Sequence, residues 1–196
     1  MTRLEIKHVE EVLSVMVDQP LRDITRAGAM VVADFGELVE VDTAILDESG
    51  RPLRDENGRR ISQMSMKGKY TLDALCSMRF SCGDEVIFAK SDMFLPTEEI
   101  AGSSDFIWDT FDWHIRGNNF FDVAIAKHFG GEFSDYIVKS VKANKFGDLT
   151  ITFKSGFILE LFADGSGYSE NWRFGEINSV KPIIALTGNG IDIEAS

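Results

Sequence analysis

Residues 147–162, GDLTITFKSGFILELF, hold two short runs of alternating apolar residues around a Lys154-Ser155-Gly156 break. No other stretch narrows the fold as far, because the break admits two hairpin registers that sort the side chains differently. A two-residue Ser155-Gly156 turn pairs Phe153 with Ile158 and sets Glu160 beside Ile151 on the apolar face. A three-residue loop pairs Phe153 with Phe157, Ile151 with Leu159 and Leu149 with Leu161, leaving one face wholly apolar. It also puts Gly156 at the left-handed position that a bulged turn requires. The shorter turn would bury an unpaired carboxylate at a cost of several kcal/mol. The three-residue register is therefore expected.

The reverse face of that hairpin carries Thr150, Thr152, Ile158, Glu160 and Phe162. If residues 171–174 pair next to it, Trp172 and Phe174 join the core and Arg173 points to the side of Glu160. A Glu160–Arg173 ion pair is then expected, bracing the 164–170 loop. This structural role is preferred to a ligand pocket built from Glu160, Arg173 and Ser166.

The remaining pattern predicts a helix over residues 4–17, with Ile6, Val9, Leu13 and Met16 at helical spacing and Pro20 ending it. Strands are expected over 29–33 and 38–46, separated by an Asp34-Phe35-Gly36 turn, and then over 61–70, 76–80 and 86–89. A three-residue Cys82-Gly83-Asp84 loop would set Phe80 opposite Val86 and Met78 opposite Phe88. Between them, residues 47–60 contain the near-duplicates DESGR and DENGR and read as a solvated hairpin tip. They lack the ligand spacing of a calcium loop. Asn118 is the expected N-cap of a central helix carrying Phe120, Phe121, Ala124, Ile125 and Phe129, stopped by Gly130-Gly131. Strands follow over 136–143, 149–153, 157–162, 171–174 and 180–186, and residues 188–196 read as a loose tail. With no linker in view, residues 1–196 read as one α+β domain, mainly antiparallel strands with an N-terminal helix and one central helix.

The formal charge of −12 argues against a nucleic-acid surface, which needs Lys and Arg to replace counterions. Residues 91–135 hold nine acids against Arg116 and Lys127, a net of −7. No run of eighteen apolar residues and no signal-peptide pattern occurs, so a cytoplasmic protein without membrane contact is expected. Cys76 and Cys82 form no disulfide framework and, without further ligands nearby, no zinc site.

The acidic segment contains Asp105-Phe106-Ile107-Trp108-Asp109-Thr110-Phe111-Asp112-Trp113-His114. Asp105, Trp108, Asp109, Asp112, Trp113 and His114 are the candidate partner-binding residues: aromatics anchor interfaces, and carboxylates would meet a basic protein surface. The rival reading makes Phe106, Trp108 and Trp113 a plug for an open end of the sheet. Asp109, Asp112 and His114 could donate to a metal, but such clustering is common in acidic loops, and no metal, cofactor or catalytic residue is assigned. No G-x-S-x-G elbow, H-E-x-x-H, Walker loop or Rossmann fingerprint occurs. The alternative function is a hydrolase or small-ligand module using residues 105–114.

The block GDLTITFKSGFILELFADGSGYSENWRF resembles a pattern found in small uncharacterised bacterial α+β proteins. They share a Gly-Asp-Leu…Phe-x-x-Gly strand pair, a Leu-Glu-x-Phe strand, an acidic-Ser loop and a Trp-Arg strand. The stretch LDALCSMRFSCGDEVIFAKSDMFLP is similar to their preceding block, with Cys76, Arg79, Ser91 and Asp92 matching and Met78 where an aromatic is commoner. The likeness spans about residues 72–174. Some such proteins resemble immunity proteins encoded beside bacterial toxins, which implies a non-enzymatic acidic protein with a basic toxin partner. The family brings no catalytic residues with it.

Overall fold

The computed structural model describes residues 3–47, 51–129 and 136–194. In chain order these form α1 (Arg3–Leu13), β1 (Leu21–Ala27), β2 (Met30–Ala44), β3 (Ser62–Ala74), β4 (Ser77–Cys82), β5 (Glu85–Ala89), α2 (Glu98–Ala101), α3 (Phe120–Phe129), β6 (Val138–Ala143), β7 (Leu149–Phe153), β8 (Phe157–Phe162), β9 (Glu170–Glu176), β10 (Ile183–Thr187) and β11 (Gly190–Glu194). The fold is α+β and mainly antiparallel sheet. One sheet has the order β1-β2-β3-β9-β10-β11 and the other β5-β4-β8-β7-β6. Ile24, Val31, Ala33 and Leu72 of the first meet Met78, Leu159 and Leu161 of the second across the interior. Among the described residues no helix is long and apolar enough to cross a membrane.

The hairpin register follows the apolar-face argument. Leu149 lies opposite Leu161 and Ile151 opposite Leu159. Gly156 takes φ +94° and donates its N–H to Phe153 O at 3.1 Å, closing the loop. Leu149, Ile151, Phe153, Leu159 and Leu161 are all buried. Phe80 centres the aromatic part of the core, with ring centroids 5.2 Å from Phe88, 5.3 Å from Phe157 and 5.4 Å from Phe129. Such pairs each add about 0.5–1.5 kcal/mol beyond burial.

The neighbour assigned to this hairpin is corrected. β8 pairs with β4, whereas β9 lies in the other sheet between β3 and β10. Trp172 and Phe174 do enter the core, but from the facing sheet, so the adjacency that a Glu160–Arg173 pair needed is absent. Glu160 Oε2 instead lies 2.6 Å from Arg79 Nε across the β4–β8 ladder. Arg173 Nε lies 3.0 Å from Asp73 Oδ2 on β3. Alternation places a side chain on a face; it does not choose the strand that supplies its partner.

Four further expectations change. Residues 34–36 are not a turn but a bulge within one continuous β2, where Gly36 at φ +92° shifts the register between Phe35 and Leu38. β4 and β5 are joined through Gly83-Asp84 with a bulge, so Phe80 faces Phe88 while Val86 pairs with Ser81 and stays exposed. The helix cap is Asn119, whose Oδ1 accepts the Asp122 N–H at 2.9 Å, one residue beyond Asn118. Residues 190–194 of the expected loose tail form β11, pairing along β10.

β1 escaped the sequence pattern because a bulge at Leu21/Asp23 breaks its alternation and Arg26 occupies a buried position. α1 ends at Leu13 and gives way to a 3-10 turn over Ser14–Met16. The chain is then drawn alongside the start of β6: Asp18 N–H donates to Val138 O, and Val138 N–H to Gln19 O, both at 2.9 Å. The glycine stop at 130–131 and Glu48–Gly50 of DESGR lie outside the described residues. In the duplicated motif Asp47 Oδ1 accepts the Arg51 N–H at 2.9 Å and Asp55 Oδ1 accepts the Arg59 N–H at 2.8 Å.

Candidate functional site: an acidic aromatic lobe

The chain leaves β5 through a 3-10 turn over Lys90–Phe94, anchored by buried Met93. It then returns to α3 through a closed lobe. At its neck, Phe120 N–H donates to Leu95 O at 2.9 Å and Thr97 N–H to Asn118 O at 3.0 Å. The ends of the loop are thus side by side, as in a compact loop packed by its own side chains.

A second clamp lies beneath the neck. The Arg26 guanidinium, only 5% exposed, grips Asp122 with Nε–Oδ1 2.7 Å and Nη2–Oδ2 2.8 Å. Its Nη2 also donates to the Trp113 and His114 carbonyls at 3.1 and 3.2 Å. Asp122 Oδ2 further accepts Gly117 N–H at 2.9 Å and Asn119 Nδ2 at 3.0 Å. Burial alone would raise the Asp122 carboxyl, but the hydrogen bonds from Arg26, Gly117 and Asn119 outweigh it and hold the group below its ordinary range. One buried ion pair therefore fixes three stretches of the lobe's base.

Above this base the aromatics divide. Phe106, Trp108 and Phe111 form an edge-on cluster with centroids 5.2–6.3 Å apart. Trp108 is nevertheless 61% exposed and Ile107 58% exposed. Trp113 is half-buried, edge-on to Phe94 at 4.9 Å, stacked on His114 at 3.7 Å and faced by Arg26 at 5.8 Å. The plug reading thus suits Trp113, while Trp108 faces water.

Asp105, Asp109, Asp112 and His114 are exposed. Asp112 Oδ1 accepts the His114 N–H at 2.9 Å, a local turn contact that spends one oxygen on the loop itself. Between Asp105 and Asp112 opens a cleft of about 320 Å³ walled by Ile100, Phe106, Ile107, Phe111 and Ile115. Among the described residues no three His, Cys, Asp or Glu side chains gather as metal ligands, so Asp109, Asp112 and His114 do not form such a set.

Several residues of the lobe carried no clear sequence signal. Arg26 lies far away in the chain on an unrecognised strand, although Asn119-x-x-Asp122 is legible as a helix-start pattern. Phe94, Leu95, Phe120 and Val123 at the neck are exposed, which widens the apolar surface beyond residues 105–114. No protein-family model, no curated protein and no solved structure matches this chain.

Proposed function

We propose that this chain is a non-enzymatic binding protein of the bacterial cytoplasm whose acidic aromatic lobe docks a basic protein, in the manner of an immunity protein neutralising a toxin. The observation that carries this reading is the exposure of Trp108 and Ile107 on a lobe held by two independent clamps. A Trp left at 61% exposure keeps roughly 150 Å² uncovered, worth at most about 4 kcal/mol when a partner buries it. Asp105, Asp109 and Asp112, exposed and close to that anchor in the chain, offer unlike-charge recognition for Lys or Arg. The pre-organised base lowers the ordering cost that a floppy loop would incur on binding.

The test is co-expression with the toxic product of an adjacent gene. The wild-type chain is expected to restore growth, and Trp108→Ala combined with Asp109→Asn to lose that protection while accumulating as folded protein. Full protection by the double variant, or none by the wild type, contradicts the reading.

A further inference from the structure

At one end of the sandwich, away from the lobe residues, the 144–148, 163–167 and 187–190 loops and Glu5 of α1 enclose a cleft of about 560 Å³. This size suits a small ligand. Its walls are fixed by their own hydrogen bonds. Buried Asn171 bridges Gly165, accepting its N–H at 2.8 Å and donating to its carbonyl at 3.3 Å. Trp172 Nε1 donates to Gly147 O at 2.8 Å, and Thr187 Oγ1 donates to Gly190 O at 3.1 Å. Gly188 packs so closely on the Ser166–Gly167 backbone that a Cβ there would sit 2.3 Å from Ser166 C.

Within that satisfied framework two polar groups from two loops stay uncommitted to any hydrogen bond among the described residues. They are the Ser166 hydroxyl and the Asn189 carboxamide; beside them at the rim stands the Phe146 ring, 66% exposed, with Lys145 Nζ over one face at 4.8 Å from its centroid. The ionisable lining residues are Glu5 and Lys145, whose charges cancel. A ligand matched to this set is neutral, offers donors and acceptors to an amide and a hydroxyl, and has an apolar C–H face to lay on a ring.

We propose that this cleft is a binding site for a neutral sugar, with Phe146 as the stacking platform and Asn189 and Ser166 as the hydroxyl readers. The inference is independent of the lobe and of its protein partner.

The test is an NMR titration of the full chain with D-glucose, D-galactose and N-acetyl-D-glucosamine, with sodium phosphate in parallel. At least one sugar is expected to shift the Gly165, Ser166, Gly188 and Asn189 amides saturably, with Kd of about 1 mM. Phe146→Ala is expected to weaken that binding about tenfold and Asn189→Ala about fivefold, with unchanged melting temperatures because both side chains are exposed. Saturation by phosphate alone, no saturation by any of the three sugars, or sugar binding untouched by Phe146→Ala overturns the proposal.

Discussion

Replacing Asp34 by Asn removes a carboxylate that β2 holds at 3% exposure, with no hydrogen-bond partner for Oδ1 among the described residues. Asp23 lies opposite it on β1 and Thr71 on β3, and Lys67 Nζ approaches Oδ2 only to 3.9 Å. Burial pushes the Asp34 carboxyl up from 3.8 to about 6, with Lys67 opposing and Asp23 and Asp73 reinforcing the shift. Because the folded state holds this proton more tightly than the unfolded chain, the contribution is fully present below about pH 4 and is lost as pH rises to about 6. A shift of roughly two units corresponds to about 3 kcal/mol. Urea unfolding of wild type and Asp34→Asn should therefore diverge between about pH 4 and pH 8. The variant is expected to be more stable by about 1–3 kcal/mol at the upper end, with near-equality at the lower. Equal stability of the two proteins at both pH values would refute the burial argument.

Four other outcomes follow from the packing. Arg26→Met strands the Asp122 carboxylate and should cost about 3–5 kcal/mol, with proteolysis appearing first within residues 98–117. Since Asp122 is held below its ordinary range, the stability it contributes is present above about pH 4 and fades below it, which acid titration of the wild type and Asp122→Asn compares. Gly68→Ala would place a Cβ 2.6 Å from Phe35 N and should destabilise by about 1–3 kcal/mol in thermal melts. Burial pushes the Cys76 thiol up to about 12, so iodoacetamide is expected to label half-buried Cys82 and spare Cys76 until the chain unfolds.

Much of the scaffold was readable because its signals are local. The 149–161 hairpin carried its own register: a glycine at the required turn position and a carboxylate that tolerated one pairing only. The failures share a different cause. Phe80 against Phe88 depends on a bulge that shifts the register by one residue, and period-2 reasoning has no term for it. β9 follows the hairpin in sequence, which argues for pairing beside it, whereas its ladder partner β3 lies about a hundred residues earlier, as Arg173 and Asp73 show. β11 reads as two isoleucines amid Gly, Asn and Asp, and becomes a strand through pairing with β10. For the lobe, composition located the exposed carboxylates and aromatics. It did not separate Trp108 from Trp113, because that distinction rests on Arg26, Phe94 and Asn119, which reach the segment from elsewhere in the fold.

The central claim, that the lobe is a docking surface for a basic protein, is tested most directly by calorimetric titration of the purified chain with the adjacent-gene product at low and high salt. Trp108→Ala is expected to weaken binding by about 2–3 kcal/mol, roughly 30- to 150-fold. Asp109→Asn with Asp112→Asn is expected to flatten the salt dependence while leaving the fold intact. Equal affinity of wild type and Trp108→Ala, with the same salt dependence in the carboxylate variant, would contradict it.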